Sequence, residues 1–358
     1  MKILLYGDYS SLHFHLRTGL RAIGHDTKIA SDSSGILDLR PDVFFNDQVA
    51  TMYKRIKAKT IEPMLWSRKT NGIDVVQFIN PLAISPRVLP AIKYVYKNLF
   101  RASNKRFLLS TGNDAVYITK GINQLKYSPI PDSIKHDGNG CLIWLKKNNI
   151  EWNYILAKSC DGIIPTSYDY ACGYRVEQFS NLKRTIPLPF DISSVEIIPE
   201  KRGNRKLKVF HGISRPGFKG TKYILDAFNY LKISYPNDVE CITVSNVPLK
   251  EYLTIMRECD ICVDQALSYG YGMNAIYALA QGLTVLSGAE PETLDDIGIK
   301  DCPIINITPN AQQIIETIES LIQSRSSFGE RRFKNRMYVE KHHDCVNVAL
   351  KYLEAWKE

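Results

Sequence analysis

The sequence has no apolar run long enough to span a bilayer, and its opening MKILLYGDYSS is too short in apolar residues for a secretory signal. A cytoplasmic location is expected. Metal spacing is also missing: of eight cysteines only Cys259 and Cys262 form a CxxC, with no second pair at zinc distance. Buried, reduced thiols are expected instead. Acidic residues are in deficit, 37 Asp and Glu against 46 Lys and Arg, for a net charge of +9. That balance admits an anionic partner: nucleic acid, phospholipid or a phosphorylated substrate. Neither an RNP octamer nor a GXXG between matching elements is evident, so no nucleic-acid partner is expected.

What is present suits a globular chain. At 358 residues and 44% hydrophobic composition, two α/β domains can each bury a core. The densest basic stretch, AIKYVYKNLFRASNKRF, sets Lys93, Lys97, Arg101, Lys105 and Arg106 among Tyr94, Tyr96, Leu99, Phe100 and Phe107. It reads either as a helix on anionic lipid at the inner face of the plasma membrane, or as a surface helix with a solvated basic face and a core-facing aromatic stripe.

Short β-branched or aromatic runs over 3–6, 27–30, 43–45, 74–79, 106–110 and 162–165 alternate with helix-length segments. This pattern predicts an α/β fold with a parallel, doubly wound sheet and ligands at the carboxyl ends of its strands. The stretch TIPLPFDISSVEIIPEKRGNRK, with Pro187, Pro189, Pro199 and Gly203, breaks the periodicity. Strands then restart over 207–211, 241–244, 261–263, 284–286 and near 303–305, with helices over 221–234, 249–258, 311–323 and about 333–357. The expected division is an N-terminal acceptor-side domain over 1–200, a donor-binding domain over 201–330 and a terminal helix over 331–358 that packs back on the first. The cleft between two Rossmann-like halves is the default ligand site.

The stretch SYGYGMNAIYALAQGLTVL sets a Gly-Tyr-Gly turn ahead of an apolar helix. Gly270 and Gly272 let a backbone approach something bulky, and the first helical amides, at Met273 and Asn274, lack intrahelical acceptors. The helix dipole adds roughly half a positive charge there. The turn either holds a phosphate-like anion or is a tight strand-to-helix connection without a ligand.

Three segments in order, HGISRPGFKGTKYILDAF, VPLKEYLTIMRECDICVDQAL and YGYGMNAIYALAQGLTVL, resemble the nucleotide-sugar domain of GT-B glycosyltransferases. The likeness is to the retaining family 4 group and its capsule and O-antigen relatives. GDYSSLH, DVVQFINP, LLSTGND, CDGIIPTSYDYACGYR and IPLPFD extend it over nearly the whole chain. The resemblance implies a GT-B fold, a nucleotide-sugar donor, and a glycan acceptor, expected to be lipid-linked, in cell-surface polysaccharide synthesis with retention at the anomeric carbon. It places Arg215 and Lys219 where positive charge stabilises the leaving diphosphate. Gly270, Tyr271, Gly272, Met273 and Asn274 would hold that diphosphate. Ser245, Asn246 and Val247 would meet the base. Asp264, with Gln265, either borders the donor or anchors the turn. As a loop lysine, Lys219 is expected to be removable without harm to the fold.

The chain departs from the family at several places. Tyr269 and Tyr277 stand where Glu-x7-Glu is common, and Tyr277 either contacts ribose or has a structural role. Thr111 takes the place of a histidine beside the reacting carbon. Asp114 either orients an acceptor hydroxyl or caps a helix. The resemblance turns Asp8 and His13, in the first loop, towards the cleft to contact the acceptor or the reacting sugar, and Ser10 and Ser11 replace the paired glycines of that loop. No Asp-x-Asp occurs, so neither metal nor cofactor is expected. The rival reading is a catalytically weak or inactive GT-B homologue acting as a binding or partner subunit.

Overall fold

The computed structural model describes residues 1–32, 40–45, 52–84, 87–199 and 205–358. They form two compact units. The first comprises Met1–Gly121, Trp144–Asp191 and Asp344–Glu358; the second comprises Ile122–Ile143 and Ile192–His343. The segment Ile122–Ile143, which falls within the expected 1–200 domain, thus belongs to the second unit. The expected division at 200/201 lies outside the described residues.

In the first unit, strands β1 (Lys2–Tyr6), β2 (Asp26–Ser31), β3 (Val43–Phe44), β4 (Ile73–Phe78), β5 (Ser103–Ser110) and β6 (Gly162–Pro165) form one sheet in the order β3-β2-β1-β4-β5-β6. Every pairing is parallel. Strands covered on both faces read as unbroken apolar runs, as Ile3–Tyr6 does. Strand order reverses between β1 and β4, where loops part to opposite faces and leave a crevice.

The basic stretch divides between two elements. Its helix, Leu89–Ala102, turns Ile92, Val95, Tyr96 and Leu99 inward and leaves Lys93, Lys97 and Arg101 exposed. The rest is β5: the Lys105 ammonium donates to the carbonyls of Trp356 and Lys357 at 2.7 and 2.9 Å, and Arg106 pairs with Asp161 at 3.1 Å.

The single long terminal helix expected from the sequence is two helices, Phe328–His342 and Cys345–Lys357. The break occurs because the Asp344 carboxylate accepts from the amides of Val346 and Asn347 and starts a new helix. The earlier helix belongs to the second unit, where the Asn335 amide donates to the Leu283 carbonyl at 2.6 Å. The later one belongs to the first, lying so close to Leu12–Ala22 that a Cβ at Gly19 would collide with the Cys345 carbonyl.

In the second unit, β7 (Leu207–Ile213), β8 (Val239–Ser245), β9 (Ile261–Val263), β10 (Thr284–Ser287) and β11 (Ile305–Asn306) form a parallel sheet ordered β11-β10-β9-β7-β8. Helix Thr221–Ser234 buries Ile224, Ala227, Phe228 and Leu231, the i, i+3, i+4, i+7 stripe, against Leu207, Val209, Ile261 and Val263. Each fully buried aliphatic side chain there contributes about 1.5–3 kcal/mol. Here the order reverses between β7 and β9.

The eight cysteines form no disulfide, and Cys259 and Cys262 are buried. Among the described residues no helix is long and apolar enough to cross a membrane.

Candidate functional site

The carboxyl ends of β7 and β9 gather most of the second unit's candidate residues. β7 runs into Arg215, the four-residue helix Pro216–Lys219, and Gly220, whose left-handed backbone (φ +68°) turns the chain into Thr221–Ser234. Lys219 is not a solvated loop residue. Its ammonium donates to Asp264 Oδ1 at 2.9 Å, and the two side chains are 11% and 1% exposed.

Asp264 follows β9 directly. It also accepts from the Asn274 amide at 2.8 Å and from the Ser287 hydroxyl at 3.4 Å. Asn274 in turn accepts from the Tyr252 hydroxyl at 2.6 Å. A Cβ at Gly212 would collide with the Tyr252 phenol, so only glycine leaves room for that ring. Burial works to raise the Asp264 carboxyl, but the Lys219 ammonium and the Asn274 amide outweigh it and hold the group below the usual aspartate range. Asp264 therefore anchors the loop while bordering the Gly-Tyr-Gly turn. The expectation that Lys219 can be lost harmlessly is corrected: its removal leaves a buried carboxylate unpaired.

His211, on β7, had no assigned role in the sequence reading. Its Nδ1 lies 2.8 Å from the Val263 carbonyl and donates to it, while Nε2 accepts from the Thr221 hydroxyl at 3.0 Å. Burial, then the Lys219 charge, pushes it down to about 4, so it is neutral. Arg215 is exposed, with its guanidinium 3.9 Å from the centre of the Phe218 ring.

Gly272 caps helix Met273–Ala280, and a Cβ added to it would meet nothing within 4 Å. The amides of Met273 and Asn274 begin that helix. The Gly270 carbonyl accepts from the Gln265 side chain at 2.8 Å. Tyr271 turns away: its hydroxyl bonds Tyr338 at 2.5 Å and His343 Nε2 at 3.0 Å inside the core, so its side chain is not offered to a ligand. Tyr277 is 3% exposed on the same helix. Ser245 and Asn246 are exposed at the end of β8, with Asn246 left-handed at φ +56°.

Tyr269 has a partner that sequence reasoning missed. Its phenol oxygen accepts from the Lys126 amide at 2.7 Å, and its ring lies 5.0 Å from that of Tyr127. The Tyr127 hydroxyl donates to Glu290 at 2.6 Å, which also accepts from Asn306 at 3.0 Å. Farther along, Asp137 accepts from the amides of Gly217 and Phe218, both at 2.8 Å. The segment Ile122–Ile143 is thus fixed both to the loop after β7 and to the glycine turn. Glu290 had one legible signal, a Glu-Pro step opening helix Pro291–Ile297.

In the first unit the candidates are mostly structural. His13 is fully buried, with Nδ1 2.6 Å from the Gly7 carbonyl and Nε2 3.2 Å from the Gln77 amide. The same Gln77 accepts from the Trp356 indole at 3.1 Å. Burial pushes His13 down to about 4. The expectation that His13 contacts the acceptor or the reacting sugar is therefore corrected: helix Cys345–Lys357 covers its helix, and both ring nitrogens are engaged inside the unit. Asp114 is likewise fully buried, capping Ala115–Thr119 through the Tyr117 amide (2.7 Å) and accepting from Tyr174 (2.9 Å). Of its two readings, the cap holds. Burial raises it to about 6.

Asp8 accepts from the amides of Ser11 and His13 at 2.9 and 2.8 Å and is raised to about 6 by burial. Ser10 and Ser11 adopt left-handed backbone, φ +53° and +64°, the conformation glycines would take there without strain. Thr111 is 7% exposed after β5, its carbonyl 3.5 Å from the Asn80 amide.

Among the described residues, no three His, Cys, Asp or Glu side chains are placed to hold a metal ion. No family model matches the sequence, and no curated protein matches it. Solved structures do. Sucrose-phosphate synthase from Thermosynechococcus elongatus is 12% identical with a TM-score of 0.65, covering 99% of this chain and 98% of its own. Anabaena HepE, solved with UDP and glucose, is 13% identical at TM-score 0.62 over 100% of both chains. A glycosyltransferase from Rickettsia africae is 15% identical at 0.59, covering 99% and 97%. At such identities the likeness speaks to architecture, and with two parallel Rossmann-like sheets in hand, this chain has the GT-B fold.

Proposed function

We propose that the protein is a glycosyltransferase that moves a hexosyl or related sugar from a nucleotide-sugar donor to a glycan acceptor. The observation that carries this reading is the network Lys219–Asp264–Asn274, which ties the basic loop after β7 to the amide end of helix Met273–Ala280. A helix start opening at Gly272 supplies positive potential, and the Lys219–Asp264 pair fixes the basic loop beside it, at the strand-order reversal between β7 and β9. A diphosphate leaving group needs that arrangement. Arg215, exposed beside it, supplies a planar fork for phosphate oxygens. Ser245 and Asn246 at the neighbouring strand end are the base-contacting candidates.

The donor class is a uridine diphosphate sugar, supported by the complexes of HepE with UDP and UDP-glucose. Transfer is metal-independent and retaining and serves cell-surface polysaccharide synthesis; the lack of Asp-x-Asp and the resemblance to family 4 sequences support this. A second reading, a nucleotide-binding homologue without turnover, is favoured by the burial of His13 and Asp114. One panel separates them: thermal shifts with UDP, GDP, ADP, CDP and dTDP, with and without magnesium, followed by turnover of the matching nucleotide sugars. A ligand at a hundred times its dissociation constant adds about 2.7 kcal/mol to the unit that binds it. A UDP shift with hydrolysis or transfer supports the enzyme; a shift without turnover supports the homologue; no shift with any diphosphate refutes both.

A further inference from the structure

Strained backbone in the first unit gathers at one place. Among the described residues five non-glycines adopt left-handed backbone, and three of them, Ser10, Ser11 and Arg87, lie in the loops that follow β1 and β4. Those two strands flank the reversal of strand order, where a crevice opens at their carboxyl ends. A long side chain at φ +64°, as at Arg87, is costly and persists only where its surroundings hold it.

Two aromatic residues hold Arg87. Its guanidinium lies 5.6 Å from the centre of the Trp144 ring, a residue only 1% exposed. It also hydrogen-bonds the phenol of Tyr9, in the loop after β1. The backbone of Gly112, just after β5, borders the same phenol, since a Cβ there would stand 3.5 Å from the Tyr9 ring. Arg87 is therefore half-buried where the loops after β1, β4 and β5 meet.

No carboxylate of the crevice neutralises it. Asp32 pairs with Lys59 at 3.3 Å, Asp114 accepts from the Tyr117 amide and the Tyr174 hydroxyl, and Asp8 accepts from the amides of Ser11 and His13. Among the described residues Arg87 forms no ion pair. A guanidinium partly withdrawn from water, fixed in place and without a counter-charge suits the paired oxygens of a carboxylate or phosphate.

We propose that Arg87, positioned by Tyr9 and Trp144, binds an anionic group of the acceptor, a hexuronate carboxylate or a sugar phosphate, so that the first unit selects an acidic glycan. The word acceptor rests on the glycosyltransferase reading; the anion site does not. The candidate residues for the donor phosphates, Arg215, Lys219 and the turn at Gly272, all belong to the second unit, whereas Arg87, Tyr9 and Trp144 belong to the first. A neutral sugar leaves the guanidinium without a charged partner and is bound more weakly.

The test is calorimetric titration of the full chain, without nucleotide, with methyl glucuronide, glucose 6-phosphate, methyl glucoside and inorganic phosphate. One or both acidic sugars should bind about tenfold or more tighter than methyl glucoside, and the tighter of the two names the source of the anion. Arg87→Gln should erase that preference, and Arg87→Lys, which keeps the charge but not the fork, should restore only part of it. Arg87→Gly removes the side chain where glycine suits the backbone, so a lost preference with an unchanged melting curve separates recognition from collapse. The UDP-induced shift, which reads the second unit, should survive Arg87→Gln, so failure of this site and failure of the donor reading are seen separately. Equal binding of acidic and neutral sugars, no binding of any, or a preference that survives Arg87→Gln overturns the proposal. So does inorganic phosphate binding as tightly as glucose 6-phosphate, which marks an adventitious ion only.

Discussion

Asp264→Asn removes one charge from the most enclosed ion pair of the second unit and leaves the Lys219 ammonium, 11% exposed, with an amide oxygen in place of a carboxylate. Breaking a buried pair by removing one partner typically costs about 3–5 kcal/mol. Asn274 and Ser287 can still bond an amide, so a loss of about 3 kcal/mol is expected at neutral pH. The sign of its pH dependence is fixed. The folded carboxyl sits below its ordinary value, so the pair's contribution is complete above the unfolded pKa, about 4, and is lost as pH falls through the folded one. Wild type and variant should therefore differ by a constant amount near neutrality and converge in acid. Hydrogen exchange of peptides from β7 and β9 across a urea series reads the second unit. Trp66, Trp144, Trp152 and Trp356 all lie in the first unit, so their fluorescence serves as an internal control. A change within about 0.5 kcal/mol, or a gap that widens in acid, would refute the argument. Lys219→Met/Asp264→Leu should recover most of the stability, since apolar replacement of both partners is often neutral, while abolishing the UDP-induced shift.

In the first unit, His13 and His15 are lowered to about 4 and so lose stability as pH falls from 6.5 towards 4. Asp8 and Asp114, raised to about 6, gain stability as pH falls from 6 towards 3.8. Asp114→Asn removes one compensating group and should steepen acid destabilisation by about 3 kcal/mol over that window, read by tryptophan fluorescence. Gly272→Ala should leave stability within about 1 kcal/mol of wild type, because its Cβ enters open space, yet weaken UDP binding. Gly288→Ala should instead disrupt the turn itself, since its Cβ collides with the Ser268 carbonyl, which a thermal melt will show. Tyr269→Phe should cost about 1 kcal/mol and speed exchange at the Lys126 amide.

Local patterns were legible wherever one period decided the outcome. Strand Gly162–Pro165 and helices Thr221–Ser234 and Ala311–Gln323 fall where the sequence places them. The parallel alternation led to two doubly wound sheets. What stayed hidden depends on contacts distant in sequence. Nothing near His13 announces that a helix more than three hundred residues later will enclose it, so a histidine in a strand-to-helix loop read as available chemistry. Lys219 read as a phosphate-facing loop lysine with no part in the fold because its partner, Asp264, follows another strand. Tyr269 stands where the family has a carboxylate, and its acceptor role depends on Ile122–Ile143, a distant segment that belongs to the second unit. The break in the terminal helix has a local cause: Asp344 caps a new helix, although the apolar pattern runs across it.

The placement of Cys345–Lys357 bears on the order in which the chain can fold as it is made. β1 is synthesised more than three hundred residues before helix Cys345–Lys357, so the bond between Gln77 and the Trp356 indole, and the cover over His13, await a much later part of the chain. The second unit is complete by His343, while the first is still open. Nascent chains generally fold from the amino end forward; here the second unit has all its residues before the first does. A chain released after His343 should therefore carry a protected second sheet and a first sheet whose helix Leu12–Ala22 still exchanges freely with water.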